Sequence, residues 1–419
     1  MKNKFLNLLC LLVGIEVYFY QAIKLLTANI DLNIQHNIRV IYMFFTGLSF
    51  FLMLVYPLLC TQTLSKKAAS FAQYKLLPMW LFKYVGKIFV VFFLMLNDLV
   101  RIIAWLTNKL AYLSNTVPMI VPLLPRSVPW TKTGLAVASL PLITMTYGVL
   151  SGAHDYRIRR IKLVLPQLPS VFHGLTIGQI SDIHSGSFFN KKAVMGGIEM
   201  LLKEHPDVIF FTGDLVNNKA DEMIDYIPAF SQLKAPLGVY SVLGNHDYGD
   251  YYHWPSETAK QANLRDLCHI HKTLGWQLLR NEHTYLKSGS DQIAIIGVEN
   301  WGLRFVQHGD LQKACQAMEN APIKILLSHD PSHWDAQVRP NFSDIDLTLS
   351  GHTHGFQFGI ELGNLKWSPV QYQYKQWAGL YQEGKQYLYV NRGFGYLGYP
   401  GRIGILPELT LIELIKSPH

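Results

Sequence analysis

The sequence predicts an α/β domain preceded by an α-helical membrane domain, and three observations carry that reading. The first 150 of the 419 residues hold 13 Lys and Arg against 3 Asp and Glu, and they are also the most apolar third. The remainder holds 24 against 26, so the basicity of the chain belongs to the apolar part, the signature of charges flanking membrane spans. From about residue 156, short β-branched runs alternate with stretches of helical periodicity, the pattern of layered α/β folds. A chain of this length has room for two or three domains.

The membrane domain is expected over residues 1–153, with four helices. Residues 5–26 form the first, interrupted by Glu16, whose charge is costly at mid-membrane and so must face other helices. Residues 40–62 form the second: no charge occurs between Arg39 and Lys66, and about 20 apolar residues suffice to cross a bilayer. The third, 86–106, contains Asp98 and Arg101 within one turn, where they neutralise each other. Sliding it back toward residue 80 exchanges them for Lys83 and Lys87, which can snorkel, so its ends are not fixed. Pro118, Pro122, Pro125 and Pro129 forbid a regular helix over 117–130, and the uncharged stretch 133–153 makes the fourth span. No small-x-small cleavage site follows the first apolar run and no twin arginine precedes it, so that helix is expected to be retained.

Four spans put the N-terminus, the loop after the second helix and the soluble domain on one side. Their near-membrane basic residues are Lys2, Lys4, Lys66, Lys67, Lys75, Lys83, Lys87, Arg157, Arg159, Arg160 and Lys162, which makes eleven. The other side has five, namely Lys24, Arg39, Lys109, Arg126 and Lys132. Positive residues stay preferentially in the cytoplasm, so the soluble domain of this multi-pass protein of the cell or inner membrane is expected there.

Cys10, Cys60, Cys268 and Cys315 show no paired spacing, which excludes a disulfide framework or a zinc knuckle. Leu9 is too bulky for the residue preceding a lipoprotein cysteine. The soluble part carries no basic excess, so no nucleic-acid face is indicated.

A linker is expected over 154–169 and the soluble domain over 170–415. Five apolar runs share a design: "LTIGQISDIH" (175–184), "DVIFFTGDL" (207–215), "GVYSVLGNHD" (238–247), "IKILLSHDP" (323–331) and "DLTLSGHTHG" (346–355). Helical stretches such as 191–204 and 308–319 separate several of them. Each run ends in Gly, Asp, Asn or His, and open α/β sheets gather their sites at the carboxyl ends of strands. Asp182 and His184 alone could be a turn cap and a surface histidine; at a strand end their alternation would point both to one side. The series as a whole delivers Asp182, His184, Asp214, Asn245, His246, His329, His352 and His354. Imidazole, carboxylate and amide together suit borderline or hard metals such as Mn, Fe or Zn. Eight groups exceed the needs of one four-coordinate ion and fit two, about 3.5–4 Å apart and sharing a carboxylate. Gly213, Gly244 and Gly351 leave room for tight turns and close backbone approach.

The order D-x-H, G-D, G-N-H-D, H, G-H-x-H resembles the calcineurin-like metallophosphoesterases over roughly 170–415. The ending "NRGFGYLGYPGRIGILPELTLIEL" (391–414) is similar to the membrane-associated YkuE/YaeI-type branch. The resemblance implies a four-layer sandwich of two mixed β-sheets flanked by helices. It implies that Asp182, His184 and His354 hold one metal, that Asn245, His329 and His352 hold the other, and that Asp214 bridges them. His246 would stay off the metals and serve the phosphate as its catalytic histidine. Many relatives carry an Asp where this chain has Asn217, so the amide, helped by Asp247, is expected to orient His246 in its place. The branch usually reads GHTHGGQ, and Phe356 here would set an apolar wall beside the metals, narrowing the site or contacting an acyl chain.

Cys268, His269 and His271 in "CHIHK" are expected on a solvated helical face, and His154, His173 and His333 match no ligand position. The aromatic stretch 367–399, with Trp367, Trp377, Tyr381 and Tyr396, reads as strand and core, with a membrane-facing belt as the sharper alternative. The expected activity is a metal-dependent phosphodiesterase or pyrophosphatase acting on a lipid-linked or membrane-proximal substrate; a UDP-diacylglucosamine pyrophosphatase role, known in this branch, would fit. The expected partners are the bilayer and that phosphorylated substrate. A non-catalytic scaffold or transporter with a vestigial domain is the rival from another class. A protein phosphatase fits less well, since the arginine-bearing motifs of that branch are absent around Asp214 and Asn245.

Overall fold

The computed structural model describes residues 2–59, 76–114, 122–318, 321–363 and 365–417. Two compact units divide between Thr146 and Tyr147. The expectations for Cys60, Lys66, Lys67, Lys75 and Pro118 lie outside the described residues.

The first unit is built from α1 (Lys2–Leu26), α2 (Leu32–Leu59), α3 (Leu77–Leu113) and most of α4 (Val128–Leu150). All four helices are long and apolar enough to cross a membrane, which makes this a multi-pass membrane protein. The charges that the sequence left awkward are paired inside the bundle. Glu16 on α1 meets Lys83 at 2.9 Å and Lys87 at 2.6 Å, and it also accepts from Tyr42 of α2. Asp98 accepts from Arg126 Nε at 2.8 Å and Nη2 at 2.6 Å, and from Arg101 and Tyr18. A buried ion is tolerated only when paired and hydrogen-bonded. This is why α3 runs through both clusters for 37 residues instead of ending at either. Lys83 and Lys87 therefore neutralise Glu16 rather than snorkelling. Helix α4 starts at Val128, earlier than the prolines suggest, because Pro129 falls in the first turn, where a missing N–H costs nothing.

The second unit holds two six-stranded mixed sheets with flanking helices. One has the order β1 (Arg157–Leu165), β14 (Glu408–Lys416), β2 (Thr176–Ile180), β3 (Val208–Phe211), β4 (Val239–Ser241) and β5 (Gln277–Leu278). The other runs β12 (Gly379–Glu383), β13 (Gln386–Val390), β9 (Leu347–Ser350), β8 (Ile323–Leu327), β7 (Asp291–Gly297) and β6 (Glu282–Ser288). A small antiparallel hairpin, β10 (Ile360–Leu362) with β11 (Leu365–Trp367), stands apart.

Strand β3 shows how sequence sets the layers. Val208 and Phe210 face the core between the sheets, with Ile293, Ile325 and Leu349. Ile209 and Phe211 face outward, under α5 (Lys191–Leu202) and α6 (Glu257–Thr273), with Val194, Ile198 and Leu267. A strand apolar on both faces belongs at the centre of a sandwich. Truncating Phe210, which is fully buried, would cost about 3–5 kcal/mol.

Three local expectations change. Residues 157–165, expected within the linker, form edge strand β1, parallel to β14 along its whole length. Charged residues on an edge strand discourage further pairing, so "RIRRIKLVL" suits that place. Among the described residues, 308–318 give only one helical turn, Leu311–Ala314. In "CHIHK" the helix is present, but His271 is fully buried with Nδ1 2.9 Å from Ser241 Oγ, and burial pushes its ring down to about 3.

Candidate metal centre

The eight side chains converge where the carboxyl ends of β2, β3, β4, β8 and β9 meet. Asp182, His184 and His354 form one buried trio whose donor atoms lie within 4.8 Å of one another. Asp214, His329 and His352 form a second. Asp214 Oδ2 reaches both, at 3.1 Å from His329 Nε2 and 3.6 Å from His184 Nε2. Asn245 joins the second trio through Oδ1, 2.9 Å from His352 Nδ1.

The backbone that delivers them is unusual. Asp182, His184, Asp214, His352 and His354 all have positive φ, between 48° and 71°. Non-glycine residues reach that region at a cost of about 1–3 kcal/mol each, and such strain clusters at functional sites. Asp182 and His184 thus lie beyond the end of β2, and left-handed turns rather than strand alternation bring them together. Two glycines make this possible. A Cβ on Gly351 would come within 2.1 Å of Asp182 Oδ2, and one on Gly213 within 2.8 Å of His329 Nδ1.

Neighbouring groups fix which ring nitrogens face inward. His329 Nδ1–H donates to the Thr212 carbonyl at 2.8 Å, which leaves Nε2 toward Asp214. His352 Nε2 lies 2.8 Å from Tyr374 Oη, which itself donates to Asp330 at 3.4 Å and so is free to accept. The inward His352 Nδ1 and His329 Nε2 then stand 3.2 Å apart. His184 Nε2 and His354 Nε2 oppose each other at 3.0 Å. Pairs of nitrogen lone pairs facing one another beside two buried carboxylates fit cations, because metal ligation needs imidazole neutral and its free pair inward. Burial favours that form, pushing His184 down to about 3 and His352 to about 4. Burial also opposes charge on His329, but Asp214 beside it outweighs this and holds the ring up to about 10, so a cation would bind Nε2 by displacing its proton. Burial raises Asp182 to about 6.

His246 is placed differently. Its backbone N–H donates to Asp214 Oδ1 at 2.9 Å, while its ring packs edge-on against His184 with centroids 4.9 Å apart. Its Nδ1 is 2.8 Å from the backbone carbonyl of Asn217. The orienting group at residue 217 is therefore the peptide and not the side-chain amide, which pairs with Ser187 Oγ at 3.0 Å. Asp247 does not touch the ring either. Its carboxylate accepts from the N–H groups of Asp214, Leu215, Val216 and Gly244 at 2.8–3.3 Å, tying the loops after β3 and β4 together.

This geometry predicts the behaviour of Asn217→Asp. The new carboxylate would sit buried near Glu222, whose Oε2 accepts from the Asn217 N–H at 2.6 Å and whose carboxyl burial already pushes up to about 7. Turnover should not rise, and stability should fall by about 1–3 kcal/mol, the cost of a poorly satisfied buried polar group. Thermal melting and turnover measured together check this. Higher turnover at unchanged stability would mean that the side chain reaches His246 after all.

Of three further residues near the site, Arg402 and Tyr251 carried no sequence signal of their own. Arg402 is fully buried, donates to the Gly395 carbonyl at 2.6 Å, and has Nη2 3.1 Å from His354 Nδ1. Tyr251 accepts from Asn245 Nδ2 at 2.8 Å and orients that amide. Asp330 directly follows His329 in "SHD", a signal that was available. Cys268, His269, His271, His154, His173 and His333 join neither trio. The site opens into a cavity of about 230 Å³ lined by His184, Asp214, Asn245, His246, Tyr251, Phe305, His352, His354 and Leu397. A second cavity of about 260 Å³ shares Asn245, Tyr251 and Phe305 with it and adds Arg304 and His308.

Comparison with known proteins agrees with both halves of the chain. Residues 2–153 match the family described as "Probable Calcineurin-like phosphoesterase, transmembrane domain", and residues 175–356 match "Calcineurin-like phosphoesterase". The "Transmembrane protein with metallophosphoesterase domain" of Danio rerio is 29% identical over 66% of this chain, which spans 61% of that relative. The "Uncharacterized metallophosphoesterase YkuE" of Bacillus subtilis is 30% identical over 59% of this chain and 81% of its own length. The "Phosphodiesterase YaeI" of Escherichia coli is 27% identical over 56% of this chain and 80% of its own. With its two sheets, its paired His and Asp groups and the helices ahead of them, the chain belongs to the calcineurin-like metallophosphoesterases that carry an N-terminal transmembrane domain.

Proposed function

We propose that the protein hydrolyses a phosphodiester or pyrophosphate bond in a lipid-linked or membrane-proximal substrate, using two metal ions. The observation that carries this is Asp214 Oδ2, which lies within reach of one histidine from each trio. In this reading Asp182, His184 and His354 hold one ion, Asn245, His329 and His352 hold the other, and Asp214 is shared. Ions bound there, among Mn, Fe and Zn, would neutralise phosphoryl oxygens and acidify a water nucleophile. The chain supplies the rest. The Asn217 carbonyl accepts from Nδ1–H of His246 and turns Nε2 toward the cavity, where the doubly protonated ring can donate to a phosphoryl or leaving oxygen. Tyr251 fixes the Asn245 amide, and the second cavity, with Arg304, gives the far side of a diester or a second phosphate a place to lie. A vestigial scaffold would be expected to have lost a ligand, whereas here all eight groups meet.

Purified full-length protein, metal-analysed and tested on soluble diesters, pyrophosphates and lipid-linked phosphates, should hold two ions per chain and cleave one of these classes. A protein loaded with two ions and inert to all of them would overturn the reading.

The same proposal places the catalytic domain in the cytoplasm. Setting aside the three that pair with acids inside the membrane unit, Lys83, Lys87 and Arg126, leaves nine basic residues on that side against four. A cysteine engineered beside Lys162 should resist an impermeant thiol reagent in intact cells and react after permeabilisation. Labelling of intact cells would put the domain outside.

A further inference from the structure

Strand β10 and the residues leading into it have their polarity reversed. Phe356, Phe358, Ile360 and Leu362 alternate along the chain and are all exposed, Phe356 by 59% and Leu362 by 71%. The intervening Gln357 and Gly359 are buried, and Glu361 is turned inward onto Arg159 at 2.6 Å and Arg392 at 2.7 Å. Across the hairpin, Leu365 stands opposite Leu362 and Trp367 opposite Ile360, so both extend the apolar face. Leu365 is 60% exposed, whereas Lys366 points inward and donates to the Ala378 carbonyl. A strand in water shows the opposite arrangement, apolar residues inward and polar residues outward. An outward face of six apolar residues, free of charge, calls for an apolar surrounding.

Hydrogen bonds join this face to the place where the chain leaves the membrane. The last turn of α4, Tyr147–Leu150, falls within the second unit. The Gly148 carbonyl accepts from the Arg402 N–H at 3.1 Å, and a Cβ on Gly148 would come within 2.8 Å of Ile403. Ile403 in turn donates to the Gln357 carbonyl at 2.8 Å and accepts from the Gly359 N–H at 2.9 Å. Two short steps of backbone pairing thus separate a membrane-spanning helix from the apolar strand. We propose that the outward face of the β10–β11 hairpin lies in the surface of the lipid bilayer, with Leu362 and Leu365 entering it and Trp367 at the level of the headgroups. Leucine at the tip and aromatic residues behind it match the preferences of a membrane interface.

This placement gives Phe356 its role. It holds φ at 58°, where glycine would be at ease, and it lies two residues after His354. A lipid-borne phosphate sliding along the hairpin would reach the metal trio without leaving the membrane surface. The proposal deepens the lipid-linked reading, yet contact with lipid can be read without any turnover.

The test uses the full-length chain with its native cysteines replaced, in phosphatidylcholine–phosphatidylglycerol vesicles carrying nitroxide-labelled acyl chains. A fluorophore on Leu362→Cys should lose most of its emission to the nitroxide. The same fluorophore on Ser290→Cys, at the exposed turn before β7, should lose little. Equal weak quenching at both positions would overturn the proposal. So would self-quenching that rises with protein density but ignores the lipid nitroxide, since a second copy would then cover the face. A benzophenone amino acid at position 362 of the cysteine-intact chain provides a second reading: lipid adducts support the proposal, and chain-to-chain adducts alone refute it.

Discussion

Asp214→Ala is expected to abolish hydrolysis and to leave the purified protein without its full metal complement. The carboxylate reaches a histidine ring of each trio, through Oδ2 at 3.1 Å from His329 and 3.6 Å from His184. Its other oxygen accepts the His246 N–H at 2.9 Å, so the substitution also frees the His246 backbone from its anchor. Four histidine rings and a second carboxylate would remain around an uncompensated gap. Metal affinity should fall at both positions because each ion loses an anionic ligand and the charge that allows two cations to sit together. Mass spectrometry of bound metal, paired with turnover on a soluble diester, reads both effects. The companion Asp214→Asn keeps an acceptor for the His246 N–H but not the charge. If Asp214→Asn retained both ions and full rate, the shared-carboxylate assignment would be wrong.

The membrane helices and the ligand series were legible because each depends on residue type at a simple period. Uncharged runs of bilayer length and polar residues closing apolar strands leave marks in the chain itself. What escaped was mostly written in backbone atoms. The partner of His246 is the peptide carbonyl of Asn217, and any residue there offers one. The left-handed turns at Asp182, His184, Asp214, His352 and His354 are carried by residues that also accept ordinary conformations. Edge strand β1 was hidden because its partner β14 lies some 250 residues later in the chain. Long-range pairing decided Arg402 in the same way. It lies 48 positions beyond His354, and only the fold brings the guanidinium beside that ring.

His246→Ala should lower turnover by about 10²–10⁴-fold, the range for a lost acid–base group, while metal content stays intact. His246 belongs to neither trio. Its Nδ1 is held by the Asn217 carbonyl at 2.8 Å, and its ring stands edge-on to His184 and 4.5 Å from the Tyr251 ring. A carbonyl orients the imidazole without placing a negative charge beside it. Diesters with good and poor leaving groups distinguish its two expected uses. If Nε2–H protonates the departing oxygen, the loss should be far larger for a poorly acidic alcohol than for a nitrophenol. If the ring only stabilises phosphoryl charge, both substrates should lose rate equally. Loss of a metal from the variant would make His246 a ligand instead, and the division of labour between it and Asn245 would have to be reversed.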